Sequence, residues 1–238
     1  MSDARGASAL IALVGGEEFR PQMRAVDDLL IGHLGRSTVR AAILPTAAAH
    51  ESPELAAGHG VRHFQGLGVQ ARAVMVVDKP SADDARLVEQ LEDINLVYLA
   101  GGDPKYLLDT LRGSRIWEHI AAMARRGGCV IAGSSAGAMV LGEAMHFRGD
   151  WQPALGLVPA ICVLPHFERR AVYALRELQD SLPREGLVLL GIDGSTACIG
   201  SGSEWKVAGR GSVSVIRHVS TEVFQAGQRI ASDAAGRV

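Results

Sequence analysis

Cys129-Val130-Ile131-Ala132-Gly133-Ser134-Ser135-Ala136-Gly137-Ala138 is a short apolar run that breaks into a turn of small residues and continues into a stretch with helical spacing. An apolar run of this length, rich in β-branched residues and stopped by Gly and Ser, predicts a buried strand. The segment from Ala136 to Met145 then predicts the start of a helix, so the unit is strand, tight turn, helix.

Outward from this unit the same alternation repeats. Toward the N-terminus, strands are predicted at Leu10 to Val14, Val39 to Leu44, Gln70 to Val77 and Leu96 to Ala100. Between them lie helices at Pro21 to Leu34, Glu54 to Leu67 and Asp83 to Leu91. A further stretch, Tyr106 to Arg126, holds one or two helices broken at Gly113-Ser114. Strands that are apolar almost throughout, alternating with helices, predict a mainly parallel sheet covered on both faces. Beyond residue 160 the pattern turns strand-rich: Ile161 to Leu164, Leu187 to Ile192, Thr196 to Ile199, Glu204 to Val207 and Val213 to Val219, with one helix at Arg169 to Leu182. The turns Gly200-Ser201-Gly202 and Gly209-Arg210-Gly211 predict antiparallel hairpins here. No linker or internal repeat interrupts the chain, which reads as a single α/β domain over 1–238, with a loose tail expected from about Ala226 to Val238.

Composition fits this reading. The 238 residues are 47% hydrophobic and 21% charged, enough apolar content to offset the entropy of ordering and to exclude a disordered chain. A net charge of −2, without a Lys/Arg cluster, argues against a nucleic-acid partner. No apolar window of about 18 residues is present, so no membrane span is expected. Ala9 to Val14 is better read as a buried first strand than as a signal-peptide core, because Gly15-Gly16-Glu17-Glu18 follows it and an Ala-x-Ala site is lacking. Cys129, Cys162 and Cys198 are odd in number, widely spaced and set in apolar stretches. They read as reduced, buried cysteines of a cytoplasmic protein.

Ligands of open parallel sheets bind at the carboxyl ends of the strands. Three glycine turns fall there: Gly15-Gly16, Gly101-Gly102-Asp103 and the Gly133–Gly137 turn. A Ser on the last turn presents its hydroxyl outward, beside backbone N–H groups suited to a developing negative charge. On spacing alone three roles stay open for it: nucleophile, anion cradle or plain helix cap. The turn has no Lys, which excludes a Walker-type phosphate loop. Among the eight His, His166 stands out, because it follows the Ile161–Leu164 strand and Pro165, again at a strand's carboxyl end. His50, His59 and His63 sit around one loop and helix, but no carboxylate spacing supports a metal site, and no metal or other cofactor is expected.

Several segments together resemble peptidase family S51, which includes aspartyl dipeptidases and cyanophycinases. Gly133-Ser134-Ser135-Ala136-Gly137-Ala138 is similar to the family's nucleophile motif, and Pro165-His166-Phe167 to its His-Phe motif. Val97-Tyr98-Leu99-Ala100-Gly101-Gly102-Asp103 is similar to the strand and turn that line its site. Leu44-Pro45-Thr46-Ala47, Gly191-Ile192-Asp193 and Gly209–Val213 also resemble it, so the likeness runs over roughly residues 10 to 220. It implies a flavodoxin-like fold related to class I glutamine amidotransferases, and cofactor-free cleavage of short peptides. By position it makes Ser135 the nucleophile, His166 the base, and the N–H groups of Gly102 and Ala136 the oxyanion hole. Asp103 and Arg170 are the expected substrate-binding residues; Arg169 and Arg170 follow His166 at a helix start, where one of them suits a bidentate bond to a substrate carboxylate, the alternative being two solvated helix-surface arginines.

Two departures matter. The family's third triad member, a Glu, is replaced by Gly194. Asp193, one residue earlier, is the expected substitute, with Asp150 and Glu168 behind it, although successive strand residues face opposite ways. Pro104 stands where cyanophycinases carry Gln, and the Pro-His-Phe form is nearer the aspartyl dipeptidases. The leading expectation is a serine dipeptidase or exopeptidase. The alternatives are an impaired or non-catalytic small-molecule binder of the same fold, and an amidase acting on a non-peptide substrate. A small peptide is the expected partner, and a homo-oligomer is compatible with the sequence.

Overall fold

The computed structural model describes residues 8–35, 39–170, 172–202, 204–218 and 220–230. In chain order the strands are β1 (Leu10–Val14), β2 (Arg40–Leu44), β3 (Gln70–Ala73), β4 (Leu96–Leu99), β5 (Val130–Ser134), β6 (Ala144–Phe147), β7 (Asp150–Pro153), β8 (Ile161–Pro165), β9 (Val188–Ile192), β10 (Thr196–Ser201), β11 (Glu204–Gly209), β12 (Ser212–Ile216), β13 (Thr221–Gln225) and β14 (Arg229–Ile230). The α-helices are α1 (Arg24–His33), α2 (Pro53–Gly66), α3 (Lys79–Ala82), α4 (Ala85–Glu89), α5 (Pro104–Leu111), α6 (Arg115–Arg126), α7 (Ala136–Leu141) and α8 (Val172–Asp180).

Among the described residues the main sheet has eight strands in the order β14-β11-β10-β1-β5-β4-β2-β3. Its β1-β5-β4-β2-β3 part is parallel, and the β1–β10, β10–β11 and β11–β14 pairs are antiparallel. The parallel strands are apolar on both faces because both faces are covered. Ala12, Val14, Ile43, Tyr98, Val130 and Ala132 pack with Val26, Leu30 and Phe64 of α1 and α2. The alternate residues Ile11, Leu13, Leu44, Val97, Leu99 and Ile131 join a larger core with α5, α6 and α7. A second sheet of four strands, β13-β12-β9-β8, feeds Val163 and Leu190 into that same core, while Leu164 and Leu189 face Leu178 of α8. The predicted α/β architecture, with antiparallel strands toward the C-terminus, is what the structure has.

Several boundaries differ from the sequence reading, for local reasons. Strand β3 stops at Ala73 rather than Val77, because β2, its partner at the sheet edge, runs out at Leu44 and Pro45 carries no N–H. The helix expected at 83–91 shortens to α4, and a separate short helix, α3, precedes it. Asp78 and Ser81 form a capping box on α3, and the Asp84 carboxylate accepts from Arg86 N–H at 2.8 Å to open α4. Gly113-Ser114 does divide α5 from α6, and Ser114 Oγ caps α6 by accepting from Trp117 N–H. The helix predicted from Ala136 ends at Leu141, and the next residues form an unforeseen hairpin, β6–β7.

The expected loose tail is corrected over Ala226–Ile230. There the chain forms β14, which pairs with β11, and Ile230 is buried opposite Trp205. The remainder of that expected tail, 231–238, lies outside the described residues, as does Val219, the expected end of the last predicted strand. Ile230→Ala is expected to cost about 2–4 kcal/mol in chemical unfolding, as for other buried large-to-small changes. A neutral result would return this segment to the status of a tail.

Candidate functional site

The site is built from the carboxyl ends of β1, β4, β5 and β8. Ser134 ends β5 opposite Val14 of β1, and Ser135 N–H donates to the Val14 carbonyl at 2.9 Å. Ser135 itself has φ 49 and ψ −108, a conformation that costs a non-glycine residue on the order of 1–3 kcal/mol. Its neighbours must be small. A Cβ at Gly133 would lie 2.5 Å from the Gly137 carbonyl, and one at Gly137 would lie 2.3 Å from the Leu99 carbonyl. The turn is thus wedged between β5, α7 and β4, and Ser135 is held at the carboxyl end of the central strands.

His166 arrives from the other sheet. It follows β8 in the left-handed region, at φ 50 and ψ 43, and its N–H donates to the Gly15 carbonyl at 2.9 Å. Its Nε2 stands 3.2 Å from Ser135 Oγ, so the structure brings these two predicted residues together. The imidazole ring packs against Gly16, where a Cβ would sit 2.1 Å from His166 Cε1; with φ 131 this position favours glycine twice over.

The other ring nitrogen, His166 Nδ1, is buried and has no hydrogen-bond partner among the described residues. The expected third member is not brought to it. Asp193 Oδ2 accepts from both the backbone N–H and the hydroxyl of Ser212, each at 2.8 Å, so the carboxylate holds β9 to β12 instead. The physical reason is the alternation foreseen for this strand end: Gly191 lies under the Phe167 ring, and the chain reaches Asp193 facing Ser212. At Gly194, a Cβ would lie 3.2 Å from Glu168 Oε1 and 3.5 Å from Glu17 Cγ, and Gly194 N–H donates to Glu168 Oε2 at 2.8 Å. Glu168 thus occupies the surroundings of the replaced residue, while sharing its charge with Arg169.

Ser135 and His166 open onto a cleft of about 480 Å³, whose wall includes Gly102, Ala136, His146 and Arg170. Gly102 has φ 143, and a Cβ there would strike the Ala47 carbonyl at 2.2 Å, so this turn also requires glycine. Neither Gly102 N–H nor Ala136 N–H has a protein acceptor among the described residues. Arg170 Nε is buried without an acceptor among the described residues. Burial lowers the pKa of Arg170, and the nearby Cys162 partly opposes that. Its neighbour Arg169 is committed elsewhere, to Glu17 at 2.9 Å and to Glu168. His146, on the hairpin the sequence reading missed, is held below its ordinary pKa by burial and by the charge of Arg170.

Asp103 is not in this cleft. Its Oδ1 accepts from Lys105 and Tyr106 N–H at the start of α5, and the residue lines an adjoining cleft of about 450 Å³ with Arg148. The three histidines of the second loop and helix are dispersed. His63 bonds buried Asp27 at 2.7 Å, His50 packs on Tyr106, and His59 lines a separate cavity. Among the described residues no group of three His, Cys, Asp or Glu side chains could hold a metal ion.

Comparison with known proteins now decides the family. The model of peptidase family S51 matches residues 10–206. The chain belongs to peptidase family S51. Similar proteins include the cyanophycinase of Nostoc sp. (strain PCC 7120), 26% identical over 234 residues that span 91% of this chain and 76% of that one. The cyanophycinase of Geminocystis herdmanii is 26% identical over 221 residues, covering 87% and 79%. Among solved structures, a peptidase from an acI-B1 Actinobacterium superposes with a TM-score of 0.83 at 28% identity, over 94% of this chain and 97% of that one. A putative peptidase E protein from Listeria monocytogenes EGD-e shares the fold, with a TM-score of 0.55 at 16% identity, over 93% and 100%. This S51 chain is therefore a hydrolase of the peptidase type. No helix among the described residues is long and apolar enough to cross a membrane.

The partner of Asp193 makes a prediction for this S51 fold. Asp193→Asn keeps an acceptor for Ser212 and should leave thermal stability nearly unchanged. Asp193→Ala strips both bonds and should cost about 1–3 kcal/mol. Equal stability of the two variants would show that the Ser212 contact does not form.

Proposed function

We propose that the chain cleaves short peptides by an acyl-enzyme route on a Ser135–His166 pair. The single observation that carries this reading is the 3.2 Å approach of His166 Nε2 to the Oγ of a serine held in strained geometry at a strand end. Such strain is retained where the surrounding structure enforces it, commonly at reacting residues.

In this reading Ser135 Oγ attacks the scissile carbonyl carbon as its proton passes to His166 Nε2. The carbonyl oxygen, now negative, is received by the N–H groups of Gly102 and Ala136. Collapse expels the amine, which takes the proton from His166. Water then attacks the acyl-Ser135 ester, with His166 again accepting the proton, and the acid product leaves with Ser135 restored. Arg170, whose guanidinium borders the same cleft and whose Nε has no acceptor among the described residues, receives a carboxylate of the peptide. The pair works without a carboxylate on Nδ1, so turnover is modest: for a comparable triad, losing the acid's orienting bond costs about 10⁴ in kcat. The buried Cys162 and Cys198 thiols, pushed up to about 12 by burial, do not compete as nucleophiles. Three buried cysteines without a disulfide fit a reducing compartment such as the cytoplasm.

A second reading has its own observation. The unpartnered Nδ1 also suits a chain that keeps the S51 cleft for binding and has lost turnover. Fluorophosphonate labelling separates the two. Labelling of the wild type, lost in Ser135→Ala and slowed at least about 100-fold in His166→Ala, is expected of the hydrolase. A folded wild type that resists labelling would give the binding reading. A screen of dipeptides, α- and β-linked aspartyl ones included, then finds the substrate. For that substrate Arg170→Gln should raise KM by about 10- to 100-fold with kcat little changed, the worth of a hydrogen bond to a charged group. Unchanged KM would remove Arg170 from recognition.

A further inference from the structure

We infer that Glu18 is a positioning residue that locks the two reacting turns, Gly101-Gly102 and Ser134-Ser135, to one another. The inference rests on the hydrolase reading above and adds to it a residue outside the cleft wall.

Glu18 places one carboxylate oxygen on each turn. Oε1 accepts from Gly101 N–H at 2.8 Å, and Oε2 accepts from the Ser134 hydroxyl at 2.7 Å. Gly101 immediately precedes the proposed oxyanion donor Gly102, and Ser134 immediately precedes Ser135. A Cβ at Gly101 would lie 2.8 Å from Glu18 Oε1 and 3.4 Å from Ser135 Cβ, so carboxylate and nucleophile flank the same glycine. Donation by Gly101 N–H commits that group to Glu18 and fixes the plane of its peptide, which leaves the next N–H, that of Gly102, for the cleft. The Ser134 bond anchors the backbone from which the strained Ser135 departs. Charge-assisted bonds of this kind are shorter and stronger than neutral ones.

The chain goes to some trouble to deliver this side chain. Glu18 sits between two non-glycine residues in the left-handed region, Glu17 at φ 63 and Phe19 at φ 61, two residues after Gly16. Phe19 anchors the segment by packing its ring against Tyr98, with centroids 4.9 Å apart, and against Phe64. Neighbouring Glu17 is engaged by Arg169, so the two consecutive glutamates have separate partners. A negative charge this close to an oxyanion hole opposes the charge developing there. The contribution of Glu18 is therefore to geometry: it aims the donor and the nucleophile at one point.

The test compares Glu18→Ala with Glu18→Gln in the full-length protein. Gln can keep both links, its amide oxygen accepting from Gly101 and its amide nitrogen donating to Ser134 Oγ. Ala keeps neither. With a fluorophosphonate, Glu18→Ala is expected to lower the maximal labelling rate about 100-fold, the effect of a displacement near 1 Å, with half-saturating probe concentration unchanged. Glu18→Gln should stay within about fivefold of wild type, since its two neutral bonds replace two charged ones. Circular dichroism confirms that both variants are folded. Hydrogen exchange supplies a readout independent of turnover: the Gly101 amide should lose protection in Glu18→Ala and keep it in Glu18→Gln. Labelling of Glu18→Ala at the wild-type rate would overturn the inference, as would a Gln variant as poor as the Ala variant. Should the wild type itself resist labelling, the hydrolase reading fails, and unchanged Gly101 protection in Glu18→Ala would then overturn the clamp as well.

Discussion

Three consecutive carbonyls leaving β1 organise the candidate site. Val14 accepts the Ser135 N–H, Gly15 accepts the His166 N–H, and Gly16 accepts the Ser195 N–H at 3.2 Å. One short backbone segment thereby sets Ser135, His166 and the loop at Ser195 on a common frame. The frame exists only because its two glycines lack side chains. A Cβ at Gly15 would meet the Asp193 carbonyl at 2.2 Å, and one at Gly16 would enter the imidazole. Backbone polar groups are obligatory bonding partners, and here that obligation does the positioning.

The Ser135 turn was legible in the sequence because its determinants are local: an apolar strand, small residues where the backbone is crowded, and a helix directly after. The parallel architecture was legible for the same reason, since Ile11 and Leu13 face one core while Ala12 and Val14 face the other, leaving the strand apolar throughout. His166 was marked only by ending a strand and by its likeness to a family motif; its contact with Gly16 joins residues far apart in the chain. Nothing in the sequence says which way a strand end will turn, and so Asp193 was expected at His166 when it belongs to Ser212. Glu18 left no local signal at all. Both of its partners lie on other strands' turns, and a glutamate after two glycines reads as an ordinary solvated loop.

The surroundings of Gly194 are filled with charge rather than left as a gap. Glu168 turns its carboxylate onto Gly194 N–H and shares it with Arg169, and Arg169 also draws in Glu17. The region behind His166 is therefore a surface ion-pair group whose members are satisfied by one another. Arg170 takes no part in it and is left to the cleft. The two adjacent arginines thus face different surroundings, Arg169 the ion-pair group and Arg170 the cleft, as the path of the backbone after β8 dictates.

The two residues of the pair stand on different sheets, Ser135 at the end of β5 in the eight-stranded one and His166 at the end of β8 in the four-stranded one. Their 3.2 Å separation is in effect a gauge of how the two sheets are seated on each other. The buried apolar layer between them tolerates small sliding, because dispersion contacts are many, weak and without direction. A hydrogen bond of this length does not, since it weakens steeply with distance and angle. Mild heat or denaturant should thus disengage the pair while the cores remain dry, ahead of any unfolding seen by fluorescence or circular dichroism.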